Sequence, residues 1–312
     1  MSTTLSEIEA LGLWAGAAPD ALESPTMASP SWWGADSRRW SVRAQDADPR
    51  CGTTGYVKLM EPHTRMYIDF AVSFDAARSA GAAGGAPAVR HADADRGVLV
   101  TEDHTGRCHT GTLDRFDDPD TRNRLLALRR AVHDLPRFGR TATVFDDIRA
   151  ALDVARSVNA ALPTDVDWML RRIGDAERAV TAAGFDVVPI HGDGNVSNVL
   201  ALDDGRLLLV DFDCAADADP LQDLGVALAE LARLDTDARE AFEQSWGSWD
   251  AALFDRCRVY GVADQVRWGL IGAYCDAARP GMHEYSKFSD WQFLRARAAL
   301  CELTFDDRLR NL

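Results

Sequence analysis

The first third of the chain alternates large and polar residues over short runs, a pattern that predicts strands. Such runs lie at Arg39–Arg43, Tyr56–Met60 and Gly97–Thr101, and the turn-forming cluster Asp46–Gly52 separates the first two. Between Ile68 and Gly81 the apolar residues take helical spacing, so this stretch is predicted to be one helix that ends at glycine. The beginning of the chain therefore favours a small, β-rich unit.

After His104 the pattern changes to helical periodicity, interrupted by two short strand-like runs. Helices continue from there to the C-terminus. The order of elements predicts an α+β, bilobal fold with a small N-terminal lobe, residues 1–103, and a larger, mainly helical lobe, residues 104–312. The predicted helices are Thr121–Leu135, Val144–Leu162 and Asp165–Ala183, and the predicted strands are Val187–Ile190 and Leu207–Val210.

The composition is that of an ordinary globular protein, with 46% hydrophobic and 27% charged residues. No apolar run approaches the roughly 20 residues that a membrane-spanning helix needs. The segment Met1–Ile8 lacks the features of a secretion signal. The six cysteines are scattered without zinc-ligand spacing or a disulfide framework, which is typical of a reducing cytoplasm, so we predict a cytoplasmic protein without a membrane partner.

The net charge of −15 argues against nucleic acid as a partner, because phosphate backbones attract clustered Lys and Arg. Residues 191–312 contain 22 acidic and 12 basic residues, so −10 of the net charge lies in this part. A cleft lined by these residues would attract a cationic substrate, although an acidic surface can also serve solubility alone. The sequence leaves open whether the protein is a monomer or a homodimer.

The chemistry is concentrated in one stretch, His191–Asp213. It contains Asp193, then Asn198 five residues later, and Asp211 thirteen residues after that. The spacer holds a turn and an apolar strand, which predicts that Asp211 returns to the side of Asn198. Phosphoryl transfer requires a group that orients the attacking hydroxyl and oxygen ligands for a metal ion. These residue types meet both requirements.

The pattern HGDxxxxN followed by an apolar strand and DFD resembles the aminoglycoside phosphotransferase and choline kinase-like family, which has a protein-kinase-like fold. The resemblance implies that Asp193 is the catalytic base and that His191 positions its loop. It also implies that Asn198 and Asp211 bind Mg²⁺, with Asp213 at a second metal or in its surroundings. The run DADPLQDLG is similar to a further family motif, in which Asp223 would buttress the catalytic loop.

The N-terminal part carries weaker motifs of the same family. Lys58 looks like the lysine that anchors the nucleotide phosphates, and only one other lysine, Lys287, occurs among the 34 basic residues. The turn that contains Gly34 and Ser37 resembles the family's phosphate-covering turn. An acid of the following helix would orient Lys58, and the best candidate is Asp75, with Asp69 second. Adenine would bind the backbone at the predicted hinge, formed by Thr101, Glu102 and Asp103.

The acceptor is expected to bind the C-terminal helices, where aromatic residues alternate with acids, a combination that suits a cationic group. We therefore predict an ATP- and Mg²⁺-dependent phosphotransferase that acts on a hydroxyl of a small, cationic molecule, such as an amino-alcohol, an aminoglycoside or another amino sugar. Two alternatives are a kinase of peptide or protein Ser/Thr hydroxyls and a catalytically silent nucleotide-binding relative. The aromatic candidates are Trp246, Trp249, Trp268, Tyr274, Tyr285 and Trp291, and the acidic ones are Asp250, Asp255, Asp264, Asp276, Glu284 and Asp290.

Overall fold

The computed structural model describes residues 10–14, 20–23, 36–232 and 234–312. Its N-terminal part forms an antiparallel sheet with the spatial order β1-β2-β3-β5-β4. The strands are β1 (Asp20–Glu23), β2 (Ser37–Asp48), β3 (Gly52–Met60), β4 (Val89–Asp93) and β5 (Val98–Thr101).

Apolar side chains of the sheet and one helix create the first core. Trp40 and Val42 of β2 are buried with Val57 of β3, as the period-2 alternation of these strands requires. Helix α1 (Phe70–Ala82) begins at Asp69, whose carboxylate accepts hydrogen bonds from the first backbone amides of the helix. This helix connects the sheet to the rest of the molecule through a shared hydrophobic cluster.

The remaining described residues are mainly helical. They also form a three-stranded antiparallel sheet, β6-β8-β9, and a two-stranded one, β7-β10. The helices are α2 (Pro119–Val132), α3 (Val144–Ser157), α4 (Val166–Ala183), α5 (Pro220–Leu231), α6 (Asp235–Trp246), α7 (Ala251–Ala278), α8 (Tyr285–Cys301) and α9 (Leu303–Asn311). The strands are β6 (Cys108–Thr110), β7 (Val188–Ile190), β8 (Val199–Leu202), β9 (Leu207–Leu209) and β10 (Ala216–Ala218).

Helix α7 is the centre of the helical part. Its residues are buried on all sides, because α3, α5 and α8 pack around it. The largest hydrophobic cluster of the described residues surrounds this helix. None of the helices in the described ranges combines the length and the apolar character needed to cross a membrane.

The periodic segments predicted from the sequence all form, with small shifts at their ends. Helix α3 ends at Ser157 rather than Leu162, because Asn159 takes a left-handed conformation (φ 53°). Strands β1, β4, β6 and β10 were not predicted. Each is short and lacks clear alternation, so it depends on its partner strand, which is distant in sequence for β6 and β10 and is the next strand along the chain for β4.

Candidate active site

The loop between β7 and β8 holds Asp193 in a fixed orientation. One carboxylate oxygen accepts a hydrogen bond from the backbone N–H of Asn195 (2.8 Å), and the other accepts one from Nδ2 of Asn198 (2.9 Å). Gly192 precedes it with φ of 77°, and a Cβ at this position would lie 2.3 Å from the carbonyl oxygen of Cys214. The loop conformation therefore requires glycine at residue 192.

His191 is fully buried beneath this loop. Its Nε2 lies 3.0 Å from the carbonyl oxygen of Val210, which can only accept, so Nε2 carries the proton. Burial, together with the nearby Arg129 guanidinium, lowers the pKa of His191. A neutral, buried imidazole that bridges two loops suits the positioning role predicted for His191.

Asp223 of α5 organises the same loop from behind. Its carboxylate accepts hydrogen bonds from Arg129 of α2 (2.6 Å) and from the backbone N–H of Gly192 (2.8 Å), and Nε2 of His133 lies 3.3 Å away. Arg129 also donates to the carbonyl oxygen of Asp193 (2.6 Å). Burial alone would raise the pKa of Asp223, but Arg129, His133 and His191 together outweigh it and hold that pKa below its usual range.

A second acidic segment, Asp211–Asp213, follows β9 and faces the N-terminal sheet. Asp211 takes a left-handed backbone conformation (φ 67°), which turns its side chain towards Lys58 of β3. Lys58 Nζ lies 2.6 Å from Asp211 and 2.7 Å from Asp213, and Ser73 of α1 donates to Asp213 (2.7 Å). Arg39 of β2 also contacts Asp211, at 3.1 Å.

The two carboxyl groups of this segment have opposite pKa shifts. Burial opposes the ionisation of Asp211, but Lys58 and Arg39 hold its pKa below the usual range. Burial, reinforced by the Asp211 carboxylate, raises the pKa of Asp213 well above its ordinary value. Asp211 and Asp213, which both contact Lys58, therefore differ in pKa, and Asp213 has the higher value.

The donor atoms of this segment suit a divalent cation. Carboxylate oxygens of Asp36, Asp211 and Asp213 lie within 4.8 Å of one another, and Asn198 lines the same cavity. Hard oxygen ligands of this kind are the ones that Mg²⁺ prefers. Asp36 was not predicted, because it precedes β2 and only the folded chain brings it beside Asp211.

The predicted pairing of Lys58 with Asp75 is wrong. The Asp75 side chain is 74% exposed and lies 3.9 Å from Arg78, one helical turn away, whereas Lys58 pairs with Asp211 and Asp213. Asp69, the second candidate, caps α1 instead. The helix presents Ser73 to the site, so a hydroxyl occupies the place where an acid was expected.

The other predicted nucleotide-binding residues fall in different places. Gly34 lies outside the described residues. Ser37 is buried at the start of β2, and its hydroxyl lies 3.4 Å from Asp36. Thr101 and Glu102 line a cavity between the two parts of the molecule. Asp103 does not line this cavity but accepts a hydrogen bond from Ser41.

This first cavity has a volume of about 390 Å³ and is lined by both apolar and charged side chains. Leu99, Leu200 and Leu209 form apolar walls near the hinge, where a flat aromatic base could lie. Lys58, which is paired with Leu99 across the sheet, and Asp211 supply charged groups to the same cavity. An apolar slot that leads to a lysine and metal-ligating oxygens suits a nucleoside polyphosphate.

A second cavity of about 320 Å³ begins on the other side of Asp211. Asp193 lies on its wall, and Trp268, Phe288 and Trp291 supply aromatic faces. Its carboxylates include Glu230 of α5 and Asp264 of α7, of which only Asp264 was predicted. Glu230 lies on α5 beyond the DADPLQDLG run, which ends at Gly225, so the sequence offered no signal for it.

Most of the other aromatic candidates are structural. Trp246 and Trp249 pack around Phe242 in the helical core, and the ring of Tyr274 contacts Tyr67. Tyr285 is buried in the same core. Among the acids, Asp250 caps α7 and Asp255 pairs with Arg308, while Asp276, Glu284 and Asp290 do not line the second cavity.

The sequence model of the phosphotransferase enzyme family matches residues 35–260, which include β2, both acidic segments and the first ten residues of α7. The chain belongs to this family. The prediction of a phosphotransferase is thereby confirmed, whereas the roles of individual residues stay predictions. A comparison with curated protein sequences gave no match.

Solved structures confirm the kinase-like fold of this phosphotransferase. A choline/ethanolamine kinase family protein from Mesorhizobium loti is 22% identical, with 98% of each chain covered and a TM-score of 0.76. A choline kinase from Streptococcus pneumoniae is 14% identical, with 95% of this chain and 97% of that chain covered and a TM-score of 0.73. An amicoumacin kinase is 12% identical, with 96% and 94% covered and a TM-score of 0.64.

Proposed function

We propose that this phosphotransferase moves the γ-phosphate of ATP, with Mg²⁺, to a hydroxyl group of a small, cationic molecule. One observation carries the proposal: the nucleotide-sized cavity and the aromatic, acidic cavity meet at Asn198 and Asp211, with Asp193 on the acceptor side. A donor and an acceptor bound in these cavities would direct their reacting groups at the same place.

Asp193 is the general base in this proposal. Two hydrogen bonds fix its carboxylate, which keeps lone pairs for the acceptor hydroxyl. It orients that hydroxyl and accepts its proton as the oxygen attacks the γ-phosphorus. His191, Arg129 and Asp223 touch the loop rather than the substrate cavity, so they position Asp193.

The nucleotide would lie in the first cavity, with its phosphates near Lys58 and its base between the leucine walls. Asn198, Asp211 and Asp213 would hold Mg²⁺, which, when bound, neutralises phosphate charge and aligns the γ-phosphoryl group. The similar choline kinase from Streptococcus pneumoniae has been solved with AMP, and the amicoumacin kinase with AMP-PNP and Ca²⁺. Both complexes support nucleotide use, and the amicoumacin kinase complex also supports the use of a divalent metal.

The acceptor class follows from the lining of the second cavity. Indole rings attract cations, and Trp268 and Trp291 both line this cavity. Glu230 and Asp264 add negative charge in a partly desolvated place, where attraction to a cation is strong. Amino-alcohols, aminoglycosides and other amino sugars combine a hydroxyl with such a cation.

The test is ADP release from ATP and Mg²⁺ in the presence of matched acceptors. Each amine is compared with its neutral counterpart, for example 2-aminoethanol with ethylene glycol and an amino sugar with its parent sugar. We expect release above the acceptor-free background for at least one amine and for none of the neutral partners. Equal rates with both members of every pair would contradict the cationic acceptor, and release only with peptides would indicate a Ser/Thr kinase.

A further inference from the structure

Arg39 and Lys58 form an unusual pair on the N-terminal sheet. They are directly opposite each other in the antiparallel pairing of β2 and β3, and both side chains reach Asp211. Like charges at directly opposed strand positions repel each other, so this arrangement needs compensation. The family motifs account for Lys58 but not for Arg39.

The compensation comes from carboxylates that the two cations share. Lys58 contacts Oδ1 of Asp211, whereas Arg39 contacts Oδ2 of Asp211 and lies 3.5 Å from Asp36. The Arg39 side chain is only 11% exposed. A nearly buried guanidinium is costly to desolvate, which makes it a weak choice for stability alone.

The location of Arg39 indicates what it does. It lines both cavities, and the only other described residues that do so are Ser197, Asn198 and Asp211. A residue on the wall of both cavities faces the point where a group passes from the donor to the acceptor. Lys58, in contrast, lines the nucleotide cavity and does not line the acceptor cavity.

We propose that Arg39 is a second catalytic cation, which donates hydrogen bonds to oxygens of the γ-phosphate in ATP and during its transfer. This inference rests on the proposed function. The planar guanidinium fork matches phosphate oxygens better than an ammonium does. In the reaction the bond from the γ-phosphorus to the β–γ bridging oxygen breaks, a bond to the acceptor oxygen forms, and Asp193 takes the proton. Arg39 forms no covalent bond.

The competing explanation is that Arg39 only neutralises Asp36 and Asp211. The two explanations differ in how ATP and ADP binding respond when Arg39 is replaced. A residue that contacts the γ-phosphate affects ATP and leaves ADP unchanged. A residue that only balances the carboxylates affects both nucleotides alike, because both would meet the same altered acidic cluster.

The experiment is calorimetric titration of ATP and of ADP, each with Mg²⁺, into wild type, Arg39→Ala, Arg39→Gln and Arg39→Lys. Arg43→Ala is the matched control, because Arg43 lies on the same face of β2, four residues further along, and is exposed. We expect Arg39→Ala and Arg39→Gln to weaken ATP binding about tenfold or more and to change ADP binding less than about twofold. Arg39→Lys should recover part of the loss, and Arg43→Ala should match wild type.

Thermal unfolding of each variant identifies any that fail to fold, and the neutral Arg39→Gln keeps most of the side-chain volume if Arg39→Ala is lost. Equal weakening of ATP and ADP in the folded variants would overturn the proposal, and so would unchanged ATP binding. Both results leave the proposed function intact as long as wild type binds ATP. A wild-type protein that binds neither nucleotide would overturn both proposals.

Discussion

The carboxylate of Asp223 connects the stability of the molecule to the shape of its catalytic loop. Replacing Asp223 with Ala leaves the Arg129 guanidinium buried without its acid, and the N–H of Gly192 loses its acceptor. We expect the free energy of unfolding to fall by about 3–5 kcal/mol, measured by chemical denaturation. The control is Asp203→Ala, because that side chain is 62% exposed.

The Asp203→Ala control should change the free energy of unfolding by less than about 0.5 kcal/mol.

The contribution of Asp223 to the free energy of unfolding also depends on pH. Its pKa in the folded state is lower than in the unfolded chain, so the contribution is full above the unfolded value of about 3.9 and disappears as pH falls through the folded one. A variant as stable as wild type at neutral pH would show that the buried network is not required.

Asp264 predicts a pH effect on acceptor binding. Burial raises the pKa of Asp264 to about 6. The nearby Asp193 carboxylate adds to this shift, and the Arg267 guanidinium opposes it. Below that pH the carboxyl is neutral and no longer attracts a cation. We expect KM for a cationic acceptor to rise about three- to tenfold between pH 7.5 and pH 5.

Asp264→Asn is the control for this effect, because the amide has nearly the same shape but does not titrate in this range. In that variant KM should already be high at pH 7.5 and should change little with acidification. A variant whose KM retains the wild-type pH profile would assign the titration to another group, such as Glu230, whose pKa burial also raises.

The polar residues of the site divide into those that the sequence could predict and those that it could not. Asp193, Asn198 and Asp211 lie in one segment, so their spacing predicted their proximity, and the structure brings them together. Asp36 and Arg39 lie beside and within β2, and Glu230 lies at the end of α5, so only the tertiary packing brings them to the site. The error at Asp75 arose because helical phase, not the type of acid, decides which residue faces Lys58.

Helices α5 and α7 cross at two glycines, and this crossing lies beside the second cavity, which we propose binds the acceptor. A Cβ on Gly225 would lie 2.3 Å from the carbonyl oxygen of Cys257, and one on Gly261 would lie 2.8 Å from Cβ of Ala229. Glu230 of α5 and Asp264 of α7 lie within about one turn of the crossing. The backbones approach closely there, so a larger residue must push the helices apart.

We therefore expect Gly225→Ala to lower the free energy of unfolding by about 1–3 kcal/mol and to raise the acceptor KM more than the ATP KM. Gly174→Ala is the matched control, because Gly174 lies inside α4, where a new Cβ meets only the end of the Arg178 side chain at 3.6 Å. This control should gain about 0.5–1 kcal/mol, since alanine is the better helix former. Destabilisation by both substitutions would contradict the role of the crossing.

Strong periodicity explains why the long elements were predictable. Helices α3 and α4 show a clear apolar stripe, and their predicted starts differ from the observed ones by at most one residue. Strand β4 reads VRHAD, without alternation, and forms because the apolar β5 offers a free edge. A short strand of this type depends on its partner strand, so its own residue pattern does not reveal it.

Charged contacts across the cleft join the two parts of the molecule at the site itself. Lys58 and Arg39 of the sheet meet Asp211, which belongs to the mainly helical part. Residues 191–312 carry −10 of the net charge of −15, so the acceptor side of the cleft is strongly acidic. In the proposed mechanism the sheet contributes the cations that bind phosphate, and the helical part contributes most of the acids that attract a metal ion and a cationic acceptor.

The most direct test of this division of roles compares turnover with ATP affinity in Asp193→Asn, using an acceptor that wild type phosphorylates. We expect acceptor-dependent ADP release to fall by about 10²- to 10⁴-fold, because the base is lost, while the Kd for ATP with Mg²⁺ stays within about threefold of wild type. Asp211→Asn, measured alongside, should lose most of its metal-dependent ATP binding. Wild-type turnover in Asp193→Asn would contradict the assignment of the active site.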